Sequence, residues 1–408
     1  MRVVFLSETF SPKMGYIQNT LPKYLARLGA EVHVVTADLP PYYQLPDYSE
    51  TYSNFHGDAL QAGTVERTDG FTVHVIGHRR TLGYVRMSGL FAKLRELRPA
   101  ILQSIPAIGW IALDAALMKP VLGYKLFTGC HTTASVFPLA GQSLPVWNRR
   151  RLECLLTRTM PGRLVSAMTE FCYSATADCA DVATRFFGVP QSKNVVCSLG
   201  VDTERFHPVQ SAGDLSARNG LRSRFGWRPD EIVCVYSGRF SEEKNPLVLA
   251  QAIDRLSRSG RPYRGLFIGA GVQAERLRAC AQCATIPFVP VSQLAGYFRA
   301  AEIGVWPAQE SMSMLDAAAC GLPIVVNDTL VATERIEGNG LTYRLGDTAD
   351  LARVLSELAD PVLRRRLGEC GARRMRRDFS WEAIAGRRMR DYLWSLNGRN
   401  GRCEPSVS

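Results

Sequence analysis

The chain lacks any long hydrophobic run. No segment of its 408 residues approaches the roughly 18 consecutive apolar residues that a membrane-spanning helix needs. The first residues form a short apolar run that turns polar at Ser7, whereas a secretory signal peptide continues through a longer apolar region to a small-residue cleavage site. We therefore expect neither a membrane span nor a signal peptide, and we predict a cytoplasmic protein.

Patterns that bind metals or form disulfide frameworks are also scarce. The chain has six histidines and eleven cysteines, and its one C-x-x-C pair, Cys280 and Cys283, has no second pair or histidine nearby. Cysteines scattered through predicted strands and helices are typical of reduced, buried thiols. We expect no metal site and no bound cofactor.

Acidic residues are outnumbered by basic ones, 38 against 49, which gives a net charge of +11. Basic surfaces attract phosphate, nucleic acid or anionic lipid through long-range fields. Most of the excess lies between Arg364 and Arg402, where an exposed helix face with solvated charges is the simpler interpretation. No basic segment is interleaved with aromatic residues in the manner of a nucleic-acid-binding surface, so nucleic acid is not an expected partner.

The sequence does contain two successive runs of short β-branched segments alternating with helical periodicity, a pattern that predicts parallel sheets covered by helices. The predicted strands of the first run are Val3–Leu6, Val32–Thr36, Val73–Ile76, Ile101–Ser104, Tyr124–Thr128, Leu164–Ala167 and Val195–Ser198. Those of the second run are Ile232–Tyr236, Gly265–Ile268, Ile286–Val289, Ile303–Trp306 and Ile324–Val326.

These runs predict an α/β protein of two domains, residues 1–207 and 208–380, separated by a break near Pro208. A last helix over residues 381–397 is expected to pack back on the first domain, and residues 398–408 to form a flexible tail. The polar, aromatic and Pro-rich stretch from Leu39 to Gly63 has no clear period and is expected to be a long loop beside the site. Ligands of such sheets bind beyond the carboxyl ends of the strands, so two such domains create a cleft.

The most informative motif is the loop from Ser237 to Pro246, which follows a strand and precedes a helix. Gly238 frees the backbone at the strand end, and Arg239 and Lys244 follow on the loop beside the helix N-terminus. Arginine offers a planar fork for phosphate oxygens and lysine a mobile point charge. The pattern therefore indicates a binding site for a diphosphate.

A second motif runs from Trp306 to Pro323. Glu310 lies on a polar loop after a strand, and Asp316 follows in the first turn of a short helix, where it could accept hydrogen bonds from a ribose diol or merely compensate the helix dipole. Gly321 is a typical residue for the end of that helix.

These two motifs resemble those of the retaining glycosyltransferases of family 4, which have the GT-B fold of two Rossmann-like domains facing across a cleft. The resemblance extends over most of the chain. It includes Gly200–Phe206, which is similar to the family's G-V-D-x-x-x-F segment, the Gly269-Ala270-Gly271 turn, and Phe379-Ser380-Trp381 before the last helix.

The resemblance implies a role for each matching residue. The donor diphosphate is expected on Arg239 and Lys244, and the other implied donor-binding residues are Gly15, Gly238, Gly269, Gly271, Ser311 and Asp316. The implied catalytic residues are Glu310, at the donor sugar, and His131, after a strand of the first domain. A histidine in that position can equally be a structural residue.

The chain departs from the family pattern in two places. Five residues separate Glu310 from Asp316, where the family has seven between its two acids, and the second acid is Asp rather than Glu. The loop after the first strand commonly has two glycines in the family, and only Gly15 is present here, with Lys13 nearby.

The implied function is transfer of a sugar from a nucleotide-diphosphate donor, UDP- or GDP-linked, to a hydroxyl of a glycan or lipid-linked acceptor, with retention and without a metal ion. Glycan, cell-envelope or glycolipid biosynthesis is the expected setting. Two alternatives stay open: a nucleotide-sugar 2-epimerase, and a non-catalytic nucleotide-sugar-binding protein with a decayed site.

Two basic clusters accompany apolar residues at helical spacing in the first domain. The first combines Arg79, Arg80, Arg86, Lys93, Arg95 and Arg98 with Met87, Leu90, Phe91 and Leu94. The second combines Arg149, Arg150, Arg151 and Arg158 with Leu152, Leu155 and Leu156. Such clusters suit an anionic membrane surface on the inner face of the membrane, unless the apolar stripes face the domain core.

Overall fold

The computed structural model describes residues 1–81, 83–134, 136–137, 139–140 and 148–397. The predicted flexible tail, residues 398–408, lies outside these described residues. The chain divides into two compact units. The first unit contains Met1–Pro41, Asp58–Leu199 and the chain from Trp381, and the second contains Tyr42–Gly57 and Gly200–Ser380.

The first half of the chain alternates strands with helices. Its strands are β1 (Arg2–Ser7), β2 (Glu31–Ala37), β3 (Val65–Thr68), β4 (Phe71–Ile76), β5 (His78–Thr81), β6 (Tyr84–Met87), β7 (Ile101–Ser104), β8 (Lys125–Cys130), β9 (Thr169–Ser174) and β10 (Asn194–Val196). Its helices are α1 (Ile17–Arg27), α2 (Tyr48–Thr51), α3 (Ser53–His56), α4 (Leu90–Leu97), α5 (Gly109–Leu122), α6 (Arg149–Cys154), α7 (Met160–Met168) and α8 (Ala177–Phe186). A π-helical turn, Leu155–Thr159, joins α6 to α7, and a 3-10 turn covers Gln191–Lys193.

The second half repeats the alternation. Its strands are β11 (Ile232–Ser237), β12 (Tyr263–Ile268), β13 (Cys283–Ile286), β14 (Ile303–Trp306), β15 (Ile324–Asn327) and β16 (Gly340–Tyr343). Its helices are α9 (Ala212–Arg224), α10 (Leu247–Arg258), α11 (Ala274–Arg278), α12 (Val291–Ala300), α13 (Ser313–Ala319), α14 (Thr348–Glu357), α15 (Pro361–Asp378) and α16 (Trp381–Asn397). A 3-10 turn covers Thr333–Arg335.

The sheet of the first unit has eight strands in the order β10-β9-β8-β7-β1-β2-β4-β3, parallel except for β3. Residues Val3–Leu6 of β1 are completely buried because helices cover both faces of the sheet. Val3 and Phe5 belong to one core, with residues of α1 and α16, and Val4 and Leu6 to another, with residues of α4 and α5. The last helix thus packs within the first unit.

The sheet of the second unit is wholly parallel, in the order β13-β12-β11-β14-β15-β16. The chain first adds strands on one side of β11 and then crosses to β14 on the other side. The carboxyl ends of β11 and β14 therefore flank the point where the strand order reverses, which is where open α/β sheets bind ligands. The two parallel sheets confirm the predicted fold class.

Two segments differ from the sequence-based expectations. Residues Leu164–Ala167, predicted as a strand, lie inside α7, and the strand follows at β9. A short apolar run does not distinguish a strand from a helix turn, and here the helix continues from Arg149 through the π-turn. The predicted domain boundary at 207 is also displaced, since the unit boundary lies between Leu199 and Gly200.

The segment Tyr42–Gly57, expected as part of a long loop, carries α2 and α3 and belongs to the second unit. Tyr52 stacks between Tyr42 and Phe288, with ring centroids 4.5 Å and 5.1 Å away. Phe288 lies on the loop after β13, so this aromatic stack attaches the segment to the carboxyl-end side of the second sheet.

Candidate functional site

Three glycines shape the carboxyl ends of β11 and β12. Gly238 follows β11, and Gly269 and Gly271 follow β12, with φ angles of 156°, 155° and 141°. A Cβ atom on Gly269 would lie 1.9 Å from the carbonyl oxygen of Gly238, and one on Gly271 would lie 2.8 Å from that of Phe240. Only glycine fits this close approach, which lets the loops after β11 and β12 pack backbone against backbone.

Arg239 and Lys244 lie on the loop that joins β11 to α10. The hydroxyl of Tyr236 donates a hydrogen bond of 2.7 Å to the carbonyl oxygen of Arg239. Asn245, directly after Lys244, has a φ of 42°, a left-handed conformation that Asn tolerates better than most residues. The loop is therefore held in one conformation at the point where the strand order reverses.

Gln273 supports the same loop from the side of β12. Its backbone N–H donates to the carbonyl oxygen of Phe240 at 2.9 Å, and its side-chain amide donates to a carboxylate oxygen of Glu242 at 2.9 Å. Gln273 is almost completely buried, whereas the side chain of Glu242 is largely exposed. The loop is therefore supported from a buried side chain.

The amino group of Lys244 contacts the loop between β14 and α13, where its Nζ donates to the backbone carbonyl oxygen of Glu310. Burial lowers the pKa of Lys244 to about 8, the charge of Arg239 lowers it as well, and Glu310 and Glu243 act in the opposite direction. Two cations held together in a desolvated site are stabilised by a bound anion. Arg239 and Lys244, predicted as a pair, are thus brought together.

The carboxylate of Glu310 is ion-paired. It forms an ion pair of 2.9 Å with Nη1 of Arg335, a residue of the 3-10 turn between β15 and β16. The side chain of Arg335 is buried, whereas that of Glu310 is a quarter exposed.

Ser311 is joined to the end of β11 through a second serine. The hydroxyls of Ser311 and Ser313 are 2.8 Å apart, and the Ser313 hydroxyl donates to the carbonyl oxygen of Ser237 at 3.1 Å. The indole N–H of Trp306 donates to the same oxygen. These bonds connect the shortened acidic loop to the strand end that carries Gly238.

Asp316 lies in α13, and its carboxyl faces a second acid. Burial raises the pKa of Asp316 to about 8, the carboxylate of Asp202 raises it further, and Arg205 opposes the shift. Part of the residue's surface stays accessible, so a ligand can reach it. The shift favours the protonated carboxyl, which can donate as well as accept a hydrogen bond.

His131 directly follows β8 in the first unit and lines a recess with Gly129, Gln103, Ser198 and Arg388. A Cβ atom on Gly129 would lie 3.2 Å from Nε2 of His131, so the glycine makes room for the ring. Desolvation lowers the pKa of His131 to about 4, and the charge of Arg388 adds to the effect. His131 keeps solvent-exposed surface, which screens part of this effect, and the direction of the shift favours the neutral imidazole.

Arg388 is the buried charge beneath this histidine. Its guanidinium lies 3.1 Å from the centre of the Tyr173 ring and donates to Oε1 of Gln103 at 2.9 Å. Gly15, the remaining predicted residue, lies on the exposed loop between β1 and α1 of the first unit.

The sequence analysis missed Arg335, Gln273, Asp202 and Arg388. Asp202 lies inside the G-V-D segment already recognised, so its position was a usable signal. The other three carry no local signal, because each acts through residues that are distant in sequence.

The two basic clusters of the first unit differ in structure. In the first, Met87, Leu90 and Leu94 are buried in the core, and Arg86 pairs with the buried Asp114 at 2.8 Å. Of the four apolar residues in that stripe only Phe91 is exposed, at 40%, so the stripe does not present a continuous apolar face to a membrane. In the second, the apolar residues are exposed on the helix formed by α6, the π-turn and α7. These are Leu152 at 51%, Leu155 at 41%, Leu156 at 56%, Met160 at 53% and Leu164 at 43%.

Within the described ranges, no three His, Cys, Asp or Glu side chains gather as a metal site would require. The same part of the chain contains no helix that is both long and apolar enough to span a bilayer.

Two family descriptions match the chain. Residues 19–205 match "Glycosyltransferase Family 4", and residues 231–360 match "Glycosyl transferases group 1". Together the two matches cover more than half of the chain. They include His131 after β8 and the loop with Arg239 and Lys244 after β11.

Similar proteins agree with these matches. The D-inositol 3-phosphate glycosyltransferase of Segniliparus rotundus is 29% identical over 310 residues, which are 71% of this chain and 64% of that protein. The chain spans from about half to 64% of the length of the curated relatives it matches.

Two solved structures share the fold over nearly the whole chain. Sucrose-phosphate synthase from Thermosynechococcus elongatus has a TM-score of 0.70 at 17% identity and covers 96% of this chain and 98% of its own. HepE from Anabaena, in complex with UDP and glucose, has a TM-score of 0.67 at 15% identity and covers 97% and 100%.

Proposed function

The chain belongs to the family-4 glycosyltransferases, and from this premise we propose that it transfers a sugar from a nucleotide-diphosphate donor to a hydroxyl of an acceptor. The observation that carries the proposal is the loop after β11, where Arg239 and Lys244 lie within each other's electrostatic influence at the point where the strand order reverses. A diphosphate requires positive charge at such a strand end, and this loop supplies it. HepE, solved with UDP and glucose, shares the fold.

We propose further that the transfer retains the anomeric configuration and needs no metal ion. Arg239 and Lys244 stabilise the negative charge that develops on the leaving diphosphate. The acceptor oxygen attacks the anomeric carbon from the face that the diphosphate leaves, so the new C–O bond forms as the sugar–phosphate bond breaks. The hydroxyl proton passes to the departing diphosphate oxygen. Catalysis then depends chiefly on positioning and on electrostatic stabilisation.

The neutral His131 supports a role at the sugar. A neutral imidazole both donates and accepts hydrogen bonds, which suits contacts with hydroxyl groups better than contacts with a phosphate. We assign Glu310 to the donor sugar and Asp316 to the ribose of the nucleotide.

The experiment that tests the donor site is a thermal-shift screen with UDP-glucose, GDP-mannose and ADP-glucose, since specific binding raises the melting temperature. Turnover of the stabilising donor is then followed with hydroxyl acceptors, and the anomeric configuration of the product is read by NMR. We expect acceptor-dependent nucleotide release and a retained anomer. Donor conversion without an acceptor would identify an epimerase, and binding without turnover would identify a non-catalytic protein. An inverted anomer would exclude the front-face mechanism.

For the acceptor we propose a glycan or lipid-linked molecule at the inner surface of the membrane, reached by a cytoplasmic, peripherally attached enzyme. The supporting surface is the exposed leucine-rich face of α6, the π-turn and α7. It is accompanied by the exposed Arg149, Arg150 and Arg163, whereas Arg158 is half-buried and donates to the hydroxyl of Tyr84 at 3.1 Å. Glu153 is the one acidic residue between Arg149 and Met168. An apolar face rimmed by arginines suits an anionic bilayer.

The test is sedimentation with vesicles of neutral lipid and of neutral lipid mixed with an anionic lipid, at low and high salt. We expect salt-sensitive binding to the anionic vesicles only, lost in Leu152→Ser/Leu156→Ser. The matched control, Leu215→Ser, removes an exposed leucine of the second unit. Equal sedimentation of the wild type with both vesicle types would overturn the membrane proposal and direct attention to a soluble acceptor.

A further inference from the structure

Arg335 is a buried cation with an incomplete set of partners. It lies on the 3-10 turn between β15 and β16 with only 6% of its surface exposed. Its Nη1 donates to Oε2 of Glu310 at 2.9 Å, while its Nε is buried with no hydrogen-bond partner in the described part of the protein. Burying an unpaired guanidinium costs free energy of desolvation, and the ion pair with Glu310 offsets this cost for Arg335.

The pairing constrains Glu310 at both ends of the residue. Its carboxylate is held by Arg335, and its backbone carbonyl oxygen accepts a hydrogen bond from Nζ of Lys244. The loop from Glu310 to Asp316 has only five residues between its acids, so little of its own chain is available to orient the carboxylate. Arg335 supplies that orientation from the turn between β15 and β16.

We propose that Arg335 is a positioning residue for the donor sugar, which acts by holding the carboxylate of Glu310 while Arg239 and Lys244 are left to the diphosphate. This inference rests on the proposed function, because it assigns Glu310 to the sugar end of a nucleotide sugar. It adds a third basic residue to the site, brought in from a turn near position 335, where the sequence motifs gave no sign of it.

The charges around Lys244 make the arrangement measurable without any ligand. Four charged groups act on Lys244: Arg239 and Arg335 lower its pKa, and Glu310 and Glu243 raise it. Replacing Arg335 by glutamine removes a cation and should raise the pKa of Lys244, whereas replacing Glu310 by glutamine removes an anion and should lower it. These opposite shifts test whether both charged groups lie near Lys244, and the comparison of two ligands below tests the positioning role.

The first experiment is therefore an NMR pH titration of lysine side chains that carry a ¹³C-methyl label. It compares the wild type with Arg335→Gln and with Glu310→Gln, and Lys244→Arg identifies the signal of Lys244. We expect the titration midpoint of Lys244 to move up in the first variant and down in the second. Arg353→Gln, which breaks an exposed ion pair with Asp350 in the same unit, is the matched control and should leave the midpoint unchanged. Unmoved midpoints in both site variants would overturn the contact.

The second experiment compares the nucleotide sugar that binds in the thermal-shift screen with the matching free nucleoside diphosphate. Arg335→Gln should weaken binding of the nucleotide sugar about tenfold and binding of the free diphosphate less than twofold. Arg335→Lys should recover part of the lost affinity for the nucleotide sugar. Circular dichroism and melting curves verify that each variant is folded. The neutral pair Glu310→Gln/Arg335→Gln removes both charges together and provides a folded reference if Arg335→Gln alone unfolds.

The positioning role would be overturned if Arg335→Gln bound both ligands more weakly by the same factor, or if it bound both as tightly as the wild type does. Absence of any nucleotide-sugar binding by the wild type would overturn the proposed function instead, and the lysine titration would still decide whether Arg335 acts on this site.

Discussion

Both units carry candidate residues at the carboxyl end of a parallel sheet, yet the two strand ends are built from different chemistry. The second unit presents two cations, Arg239 and Lys244, on a loop that follows a glycine. The first unit presents His131, held toward its neutral form above the buried Arg388. Under the proposed function, this contrast corresponds to a division of labour in which the second unit would supply affinity for anionic phosphate and the first unit hydrogen bonds to neutral hydroxyls.

The largest effect is expected where the backbone itself forms the site. Gly269→Ala would place its Cβ on the carbonyl oxygen of Gly238, and we expect a loss of at least about 3 kcal/mol of unfolding free energy. Gly260→Ala is the matched control, because Gly260 also has a positive φ but nothing within 4 Å of its added Cβ. Urea denaturation of both variants measures the difference, and equal losses would show that the close approach of β11 and β12 is not required.

The next effect concerns the cations. Arg239→Ala and Lys244→Ala should each weaken donor binding by about 1.5–3 kcal/mol, the value of a charge-assisted contact, without unfolding the protein. Isothermal titration with the nucleotide sugar and with the free diphosphate should give similar losses for both ligands, since both carry the phosphates. Wild-type affinity in the double variant would remove the diphosphate site from the second unit.

In the first unit, His131→Gln should lower turnover at least tenfold, equivalent to about 1.5 kcal/mol, while the affinity for the free nucleoside diphosphate stays the same. The physical reason is that a neutral imidazole contributes hydrogen bonds to the reacting sugar and no charge to the phosphates. Steady-state kinetics combined with diphosphate titration separates the two quantities. A parallel loss of diphosphate affinity would contradict the division between the units.

The smallest effect is a difference in pH dependence. The pKa of His131 falls from 6.5 to about 4 on folding, so the unfolded chain binds more protons between these values and the histidine destabilises the fold as pH drops through that window. The pKa of Asp316 rises from 3.8 to about 8, so the folded chain holds a proton that the unfolded chain releases, and this acid stabilises the fold as pH drops from 8.

Melting temperatures at pH 5 and pH 7.5 test the direction of the pH dependence assigned to each of the two residues. His131→Gln should raise the stability at pH 5 relative to pH 7.5 when compared with the wild type, and Asp316→Asn should lower it. Shifts of the same sign in the two variants would contradict the opposite burial effects assigned to these residues.

Much of the fold and part of the site could be read locally from the sequence. β7 and β14 were predicted with their observed bounds, because each begins at an isoleucine and ends within two residues of a proline, which cannot continue a central strand. The loop with Arg239 and Lys244 was recognisable because a strand end, a glycine and two bases lie within eight residues.

Other features depended on contacts between residues far apart in sequence. Arg335 gave no sign of its role, because its partner Glu310 lies 25 positions away on another strand end. Both basic clusters of the first unit showed helical apolar spacing, and only the packing of β6 and α4 into the core distinguished the buried stripe from the exposed leucines near α6.

The sequence by itself therefore determined the two parallel α/β units and the basic strand-end loop, since periodicity and short motifs are properties of neighbouring residues. Tertiary structure alone decided that Glu310 is held by Arg335, that burial raises the pKa of Asp316, and that Tyr42–Gly57 packs with the second unit through Tyr52 and Phe288. Burial and electrostatic environment are set by distant segments, which meet only when the chain has folded.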